Sequence, residues 1–433
     1  MRMTENGIVT VRPAENLSGS VRPPGDKSIS HRYAMLAAIA EGQTRLENFS
    51  TGADCRSTLT CLRALGIHIE QRNGTIEIQG QGPELRAPVA VLDCGNSGST
   101  MRMLAGILAG QHFSSEMAGD ESLSRRPMER IITPLTRMGA VISSAENCRP
   151  PLHIRGGPLQ GIDYHLPIAS AQVKTALLFA GLMAKGETKV QEPLRTRDHG
   201  EIALGIFGAR VERRGLTCSV KGGQRLHGIA ATVPGDISSA AFFLCAAALF
   251  PDCNLVVDQV LLNPTRTAIL DVLATMGLRI NMIQVAEEHG ELVGTVQVRQ
   301  AGRLQGGRIS GAQTAALIDE LPVLAAIAPY TENGIEIRDA GELRVKESDR
   351  IAMMAKNVRL FGAKVEVFED GLFIAGQQQL QGAEIDSFGD HRIAMACAIA
   401  ALRARGETRI RNAAAGDISY PGFFSTLESL LQR

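Results

Sequence analysis

Leu62-Arg63-Ala64-Leu65-Gly66-Ile67-His68-Ile69 reads as the end of an apolar-spaced helix, a turn at glycine, and a β-branched strand. The same phrase returns around Gly139, Gly208, Gly277 and Gly362, as in Leu135-Thr136-Arg137-Met138-Gly139-Ala140-Val141-Ile142. A glycine just past a helix end supplies the positive φ that other residues adopt only at a cost. The phrase recurs at intervals of roughly 70 to 85 residues, too long for a solenoid repeat. It marks small α/β modules instead. A further helix over 423–431 closes the chain and makes the modules six. Each module also has room for a second helix rich in Ala and Leu, as at 100–109 and 174–183. Three modules per half predict two α/β domains, with the boundary at Gly235-Asp236. The residues alone do not assign the first strand, 7–11, to either half.

The bulk composition fits this architecture. A chain of 433 residues exceeds one ordinary core. Hydrophobic residues make up 44% and charged residues 21%, the balance of a globular protein rather than a disordered or fibrous one. Formal net charge is zero and aromatics are only 4%, with no Trp, so neither a basic field nor a stacking platform for nucleic acid is expected. The eight cysteines form no C-x-x-C pair and read as small buried hydrophobes of a reducing compartment. The run 240–250 is about half a membrane span and reads as a buried helix. Met1-Arg2-Met3-Thr4-Glu5-Asn6-Gly7 has no apolar stretch, so no signal peptide is expected.

The chemistry clusters at helix starts. Pro23-Pro24-Gly25 precedes a predicted amphipathic helix with Ile29, Tyr33, Leu36, Ala37 and Ala40 on one face and Gly42 at its end. Its first turn carries Lys27, Ser28 and Arg32. Free backbone N–H groups plus an ammonium, a hydroxyl and a guanidinium suit a phosphate or carboxylate. A predicted strand at 89–93 runs into Cys94-Gly95-Asn96-Ser97-Gly98-Ser99-Thr100 and a helix from Met101, a loop that can close on an anion. Arg125-Arg126 precede a Pro suited to a first helical turn, and Ser170-Ala171-Gln172 and Arg195-Thr196-Arg197 lie at further helix starts. Leu317-Ile318-Asp319-Glu320-Leu321-Pro322 sets two acids in an apolar run, where Asp319 could be a buried proton acceptor or an N-cap. Arg344-Val345-Lys346-Glu347-Ser348-Asp349-Arg350 would place Lys346 and Arg350 at i, i+4 on a helix. Gly389-Asp390-His391-Arg392 opens another helix. Each motif alone also fits a capped helix, a tight turn or a solvated ion pair. Together they put cations at helix starts in both halves of a neutral protein, which predicts a cleft for a ligand with several negative groups.

Seven of these motifs, all but Arg195-Thr196-Arg197, resemble in their order the 5-enolpyruvylshikimate-3-phosphate synthase family over nearly the whole chain, from Gly25 to about Pro421. The resemblance implies the two-domain enolpyruvyl-transferase fold, six βαβαββ modules with three per domain around an interdomain active-site cleft. It implies domains of 21–234 and of 1–20 plus 235–433. The implied reaction moves the enolpyruvyl group of phosphoenolpyruvate to the 5-hydroxyl of shikimate 3-phosphate and releases phosphate.

By motif, Lys27, Ser28, Arg32, Ser170, Gln172, Arg197, Asp319 and Lys346 would meet shikimate 3-phosphate. Lys27, Gly98, Arg126, Gln172, Arg350 and Arg392 would meet phosphoenolpyruvate, and Lys346 would touch both ligands or the intermediate. Asp319 would take the hydroxyl proton, and Glu347 and Lys27 compete for proton traffic at C3. No metal or organic cofactor is expected, and the resemblance implies a cytoplasmic monomer with no nucleic-acid or membrane partner. Three positions depart from part of the family: Ile418 stands where some members carry a phosphoenolpyruvate-binding Lys, Glu342 for an Asn, and Ala171 for a Ser. Gly98 is the residue of glyphosate-sensitive members.

Three other readings share parts of this pattern. The sister transferase acting on UDP-N-acetylglucosamine has Lys-Asn where this chain has Lys27-Ser28, and a loop Cys absent from 120–126. A non-catalytic anion-binding protein would have lost Asp319, Glu347 or Lys27. An RNA-end-processing enzyme would need a basic surface and a nucleotide-binding His.

Overall fold

The structure is a computed structural model that describes residues 1, 4, 7–72 and 74–433. Arg2, Met3, Glu5 and Asn6, part of the expected segment 1–20, lie outside the described residues, as does Asn73. Two compact units form, one of Gly25–Val233 and one of Met1–Pro24 with Pro234–Arg433.

In the Gly25–Val233 unit one sheet topology occurs three times. Leu92–Asp93 runs parallel to Ser114–Ala118, which pairs antiparallel with Arg149–Arg155, itself antiparallel to Val141–Ala145. Asp163–His165, Glu187–Gln191, Thr217–Lys221 and Val211–Arg214 repeat that order. So do Ala230–Thr232, Glu41–Glu47, Thr75–Gln81 and His68–Arg72. The parallel step needs a crossover helix, and the antiparallel step needs only a hairpin. Three helices form the core: Lys27–Ile39, which leads into Glu41–Glu47, and the crossover helices Gly98–Ala109 and Ala171–Met183. The last two cross so closely that a Cβ on Gly106 would lie 2.1 Å from the Ala176 carbonyl oxygen.

Two sheets of the other unit repeat this plan, and its third has only three strands among the described residues. Gly307–Ile309, Ile335–Ile337, Gly371–Ile374 and Val365–Phe368 form one four-stranded sheet. Asn16–Val21, Asn254–Leu261, Glu291–Gln300 and Leu278–Glu288 form a second, extended by Leu431–Gln432. In the third, Glu384–Asp386 lies parallel to Thr408–Arg411, and Val9–Val11 pairs antiparallel with the latter. The helices Ile237–Ala248, Leu321–Ile327 and His391–Ala401 are buried along their whole length. Alanine-rich sequences suit this position, because small side chains let helices and sheets approach on every face.

The five glycines that delimit the modules adopt φ of +87°, +119°, +99°, +108° and +92° at Gly66, Gly139, Gly208, Gly277 and Gly362. Four local expectations need correction. The Lys27–Ile39 helix stops before Gly42, because Ala40 is extended and the chain passes straight into the Glu41–Glu47 strand. It is not amphipathic: residues 29–39 are all buried, on both faces. The strand expected at 89–93 shrinks to Leu92–Asp93, with Val89 fully exposed. Lys346 precedes the Arg350–Leu360 helix, so it and Arg350 do not share a helix face.

Candidate active site

In the Gly25–Val233 unit the three core helices begin beside one another. Asp26 caps the first by accepting from the Ile29 amide at 2.9 Å, Ser97 the second from Thr100 at 3.1 Å, and Ser170 the third from Val173 at 3.4 Å. Each start carries a partial positive charge. Arg102 Nη1 donates to Gln172 Oε1 at 2.8 Å, and Gln172 Nε2 donates to Ser99 Oγ at 2.8 Å, tying the second start to the third. Arg32 Nη2 donates to Thr175 Oγ1 at 2.9 Å and to the Ala171 carbonyl at 3.3 Å, tying the first to the third.

The remaining residues join this cluster. Arg126 Nη2 donates to Asn96 Oδ1 at 2.7 Å. A Cβ on Gly98 would sit 3.1 Å from Arg102 Nη1 and 3.4 Å from Arg126 Nη1, so both guanidiniums lie over this glycine. Lys27 Nζ lies 2.8 Å from Asp54 Oδ2, and Arg197 Nη1 donates to Ser28 Oγ at 3.4 Å. Lys27, Ser28, Arg32, Gly98, Arg126, Ser170, Gln172 and Arg197 therefore form one connected region. Backbone N–H groups, hydroxyls and guanidiniums in this arrangement bind anions by charge-assisted hydrogen bonds.

The other unit gathers the acids. Arg350 is 1% exposed and Asp390 0%. Arg350 Nε donates to Asp390 Oδ2 at 2.8 Å, and its Nη2 donates to Glu347 Oε2 at 2.6 Å. Asp319 Oδ1 lies 3.7 Å from Arg350 Nη1 and 3.8 Å from Arg392 Nε, while Arg392 Nη1 donates to the Asp319 carbonyl at 2.7 Å. Asp319 is not an N-cap; it precedes Glu320, whose carboxylate accepts from Ser238 Oγ. Burial holds the Lys346 ammonium pKa below its ordinary value; Asp319 opposes this and Arg350 adds to it. Asp319, Lys346, Glu347, Arg350 and Arg392 thus form a second region of alternating charge, an arrangement chemically suited to proton transfer beside cations.

Several contributors were not singled out in the sequence. Asn96 and Asp390 stand inside quoted motifs and Arg102 lies two residues past one, so their neighbours were the available signal. Thr175 lies three positions after Gln172 on the same helix. Asp54 has no local signal, since it meets Lys27 across two helices. Ile418 ends the short Ala413–Ile418 helix and is half-buried. Seven cysteines are buried and Cys148 is half-buried.

These modules, with cations and carboxylates gathered at their helix starts, define an anion-handling α/β enzyme fold. A family model described as EPSP synthase (3-phosphoshikimate 1-carboxyvinyltransferase) matches residues 11–427. The 3-phosphoshikimate 1-carboxyvinyltransferase of Koribacter versatilis is 61% identical over 98% of this chain and 99% of its own length. That of Solibacter usitatus is 55% identical over 98% and 99%. The solved EPSP synthase of Acinetobacter baumannii superposes with a TM-score of 0.87 at 41% identity, covering 98% of each chain. The chain belongs to the EPSP synthase family.

Proposed function

We propose that this chain transfers the enolpyruvyl group of phosphoenolpyruvate to the 5-hydroxyl of shikimate 3-phosphate, releasing phosphate, in the shikimate route to chorismate and the aromatic amino acids. In the addition step C3 of phosphoenolpyruvate gains a proton, the acceptor oxygen bonds to C2, and the hydroxyl proton passes to a base. In the elimination step a proton leaves C3 and the C2–O bond to phosphate breaks. That restores the double bond and yields the enolpyruvyl ether.

Lys27, Ser28, Arg32, Ser170, Gln172, Arg197 and Lys346 hold shikimate 3-phosphate. Gly98, Arg126, Gln172, Arg350 and Arg392 hold phosphoenolpyruvate, with Lys27 reaching it as well. Asp319 accepts the 5-hydroxyl proton. Proton traffic at C3 falls to Glu347 or Lys27, the two acid–base groups the motifs bring to the reaction. Positioning and preset charge supply the catalysis. The observation that carries this reading is Asp319, a carboxylate within 4 Å of two guanidinium groups at the start of a buried helix. No helix among the described residues is long and apolar enough to cross a membrane. We extend the proposal to a monomer acting in the cytoplasm.

The test mixes the protein and phosphoenolpyruvate with either shikimate 3-phosphate or UDP-N-acetylglucosamine and measures phosphate release. Release with shikimate 3-phosphate alone is expected. No release with it overturns the proposal, and release only with the nucleotide sugar assigns the sister activity.

A further inference from the structure

Lys174 lies in the Ala171–Met183 helix and is 1% exposed. Its ammonium meets two carboxylates, Glu192 Oε2 at 2.8 Å and Glu201 Oε1 at 2.9 Å, both also buried. Burial works against the ammonium charge, yet the two glutamates, Glu201 foremost, raise its pKa above that of an ordinary lysine. Such a buried triad is weak evidence for stability, since apolar residues of similar volume commonly hold a fold as well. Its neighbours on the helix, Val173, Ala176 and Leu177, are apolar and buried. The triad therefore calls for another explanation.

Its placement supplies one. Glu192 directly follows the Glu187–Gln191 strand, and Glu201 lies in the first turn of the His199–Ile206 helix. Lys174 thus clamps both ends of the connecting segment to the helix that carries Gln172 and Thr175. Inside the segment the Thr196 hydroxyl donates to Glu192, and Asp198 accepts from Arg213 Nη2 at 2.7 Å. Arg197 stands between these two anchored residues and donates to Ser28 Oγ at 3.4 Å.

We infer that the Lys174–Glu192–Glu201 triad is a positioning device that sets Arg197 for the phosphorylated acceptor, an inference that rests on the function proposed above. Lys174 acts through Arg197 and touches no substrate itself. A segment anchored at both ends loses less conformational freedom when its arginine engages an anion, so the acceptor's affinity depends on the triad. The donor's affinity does not.

The test uses two variants, Glu192→Gln and the triple Lys174→Met/Glu192→Gln/Glu201→Gln. The triple removes all three charges together, so no buried charge is left without its partner. Steady-state constants are measured for each substrate with the other saturating. In the triple variant the KM for shikimate 3-phosphate should rise about tenfold or more, with the phosphoenolpyruvate KM within about twofold of wild type. The single variant should shift the same constant in the same direction by less. In an Arg197→Met background the triple change should add no further rise, because its effect passes through Arg197. Equal shifts in both constants, no shift in either, or a rise that persists without Arg197 would each overturn the inference. The wild-type chain, assayed alongside, separates the two claims. Absence of wild-type turnover removes the proposed function itself, whereas normal wild-type turnover with unshifted variants removes only the positioning role.

Discussion

Asp390 grips one edge of the Arg350 guanidinium, with its two oxygens 2.8 Å from Nε and 3.2 Å from Nη2, and both side chains are sealed from solvent. The same carboxylate caps the His391–Ala401 helix by accepting from the Arg392 amide at 2.9 Å. Asp390 therefore orients two arginines, one through its side chain and one through its backbone. Burial works against the Asp390 charge, but Arg350 holds its pKa below the usual carboxylate range. Removing one member of such a pair leaves a buried charge without its partner, which typically destabilises by about 3–5 kcal/mol.

Asp390→Ala should accordingly lower the unfolding free energy by ~3 kcal/mol or more, read from denaturant midpoints at constant slope. In the fraction that remains folded, the KM for phosphoenolpyruvate should rise while that for shikimate 3-phosphate changes little. A variant as stable as wild type would show that Arg350 is adequately neutralised by Glu347 and Asp319.

Asp319→Ala should reduce turnover by about 10²–10⁴, the range for loss of a general base, while calorimetric binding of shikimate 3-phosphate stays near wild type. The Arg392 contact survives in this variant, because it is made to the Asp319 backbone carbonyl. Unchanged turnover would remove Asp319 from its assigned role.

Gly98→Ala would put a methyl 3.1 Å from Arg102 Nη1, the group that holds Gln172 at 2.8 Å. The Arg102 guanidinium must give by a few tenths of an ångström, while Arg126 Nη1, at 3.4 Å, is in ordinary contact. A rise in the phosphoenolpyruvate KM of roughly tenfold, ~1.4 kcal/mol, is expected and falls within the range for overpacking. Glyphosate should compete with phosphoenolpyruvate in the wild type and bind more weakly in this variant. An inhibition constant independent of phosphoenolpyruvate concentration would contradict that.

His31 supplies a pH dependence. Burial pushes its imidazole pKa down from 6.5 to about 3; Asp54 opposes the shift and Lys27 and Arg32 add to it. The folded protein keeps His31 neutral, with Nδ1 2.7 Å from Thr58 Oγ1, while the unfolded chain takes up a proton below about pH 6.5. The unfolded state thus binds more protons between these values. Stability is flat with respect to this group above pH 6.5 and falls as the pH drops toward 3. At pH 5 the loss is about 2 kcal/mol. His31→Asn should flatten the urea midpoint between pH 6.5 and 5 by about one proton's slope. Equal slopes in variant and wild type would show that His31 does not control acid stability.

Much of this protein is legible in its sequence, for local reasons. A glycine with φ near +90° after an apolar-spaced helix marks a module wherever it stands, because backbone sterics do not depend on distant residues. The capping residues Asp26, Ser170 and Asp390 sit where their motifs indicate, because an N-cap bonds within its own first turn. The local pattern misled where burial was two-sided. The Lys27–Ile39 helix shows an apolar stripe in its sequence, yet Ser30, His31 and Arg32 are buried too, held by neighbours.

Partners distant along the chain were decided only by tertiary structure. The strand before the Lys27–Ile39 helix, Asn16–Val21, pairs not with Glu41–Glu47 but with Asn254–Leu261, while Ala230–Thr232 completes the sheet of Glu41–Glu47. Alternation along a strand specifies which face is buried, but an edge of free N–H and C=O groups accepts any strand the chain path delivers. The same holds for the charges. Sequence placed Arg350 and Lys174 at helices, but their distant partners, Asp390 and Glu192, follow from packing, which takes water away from an ion and leaves only the nearest opposite charge to replace it.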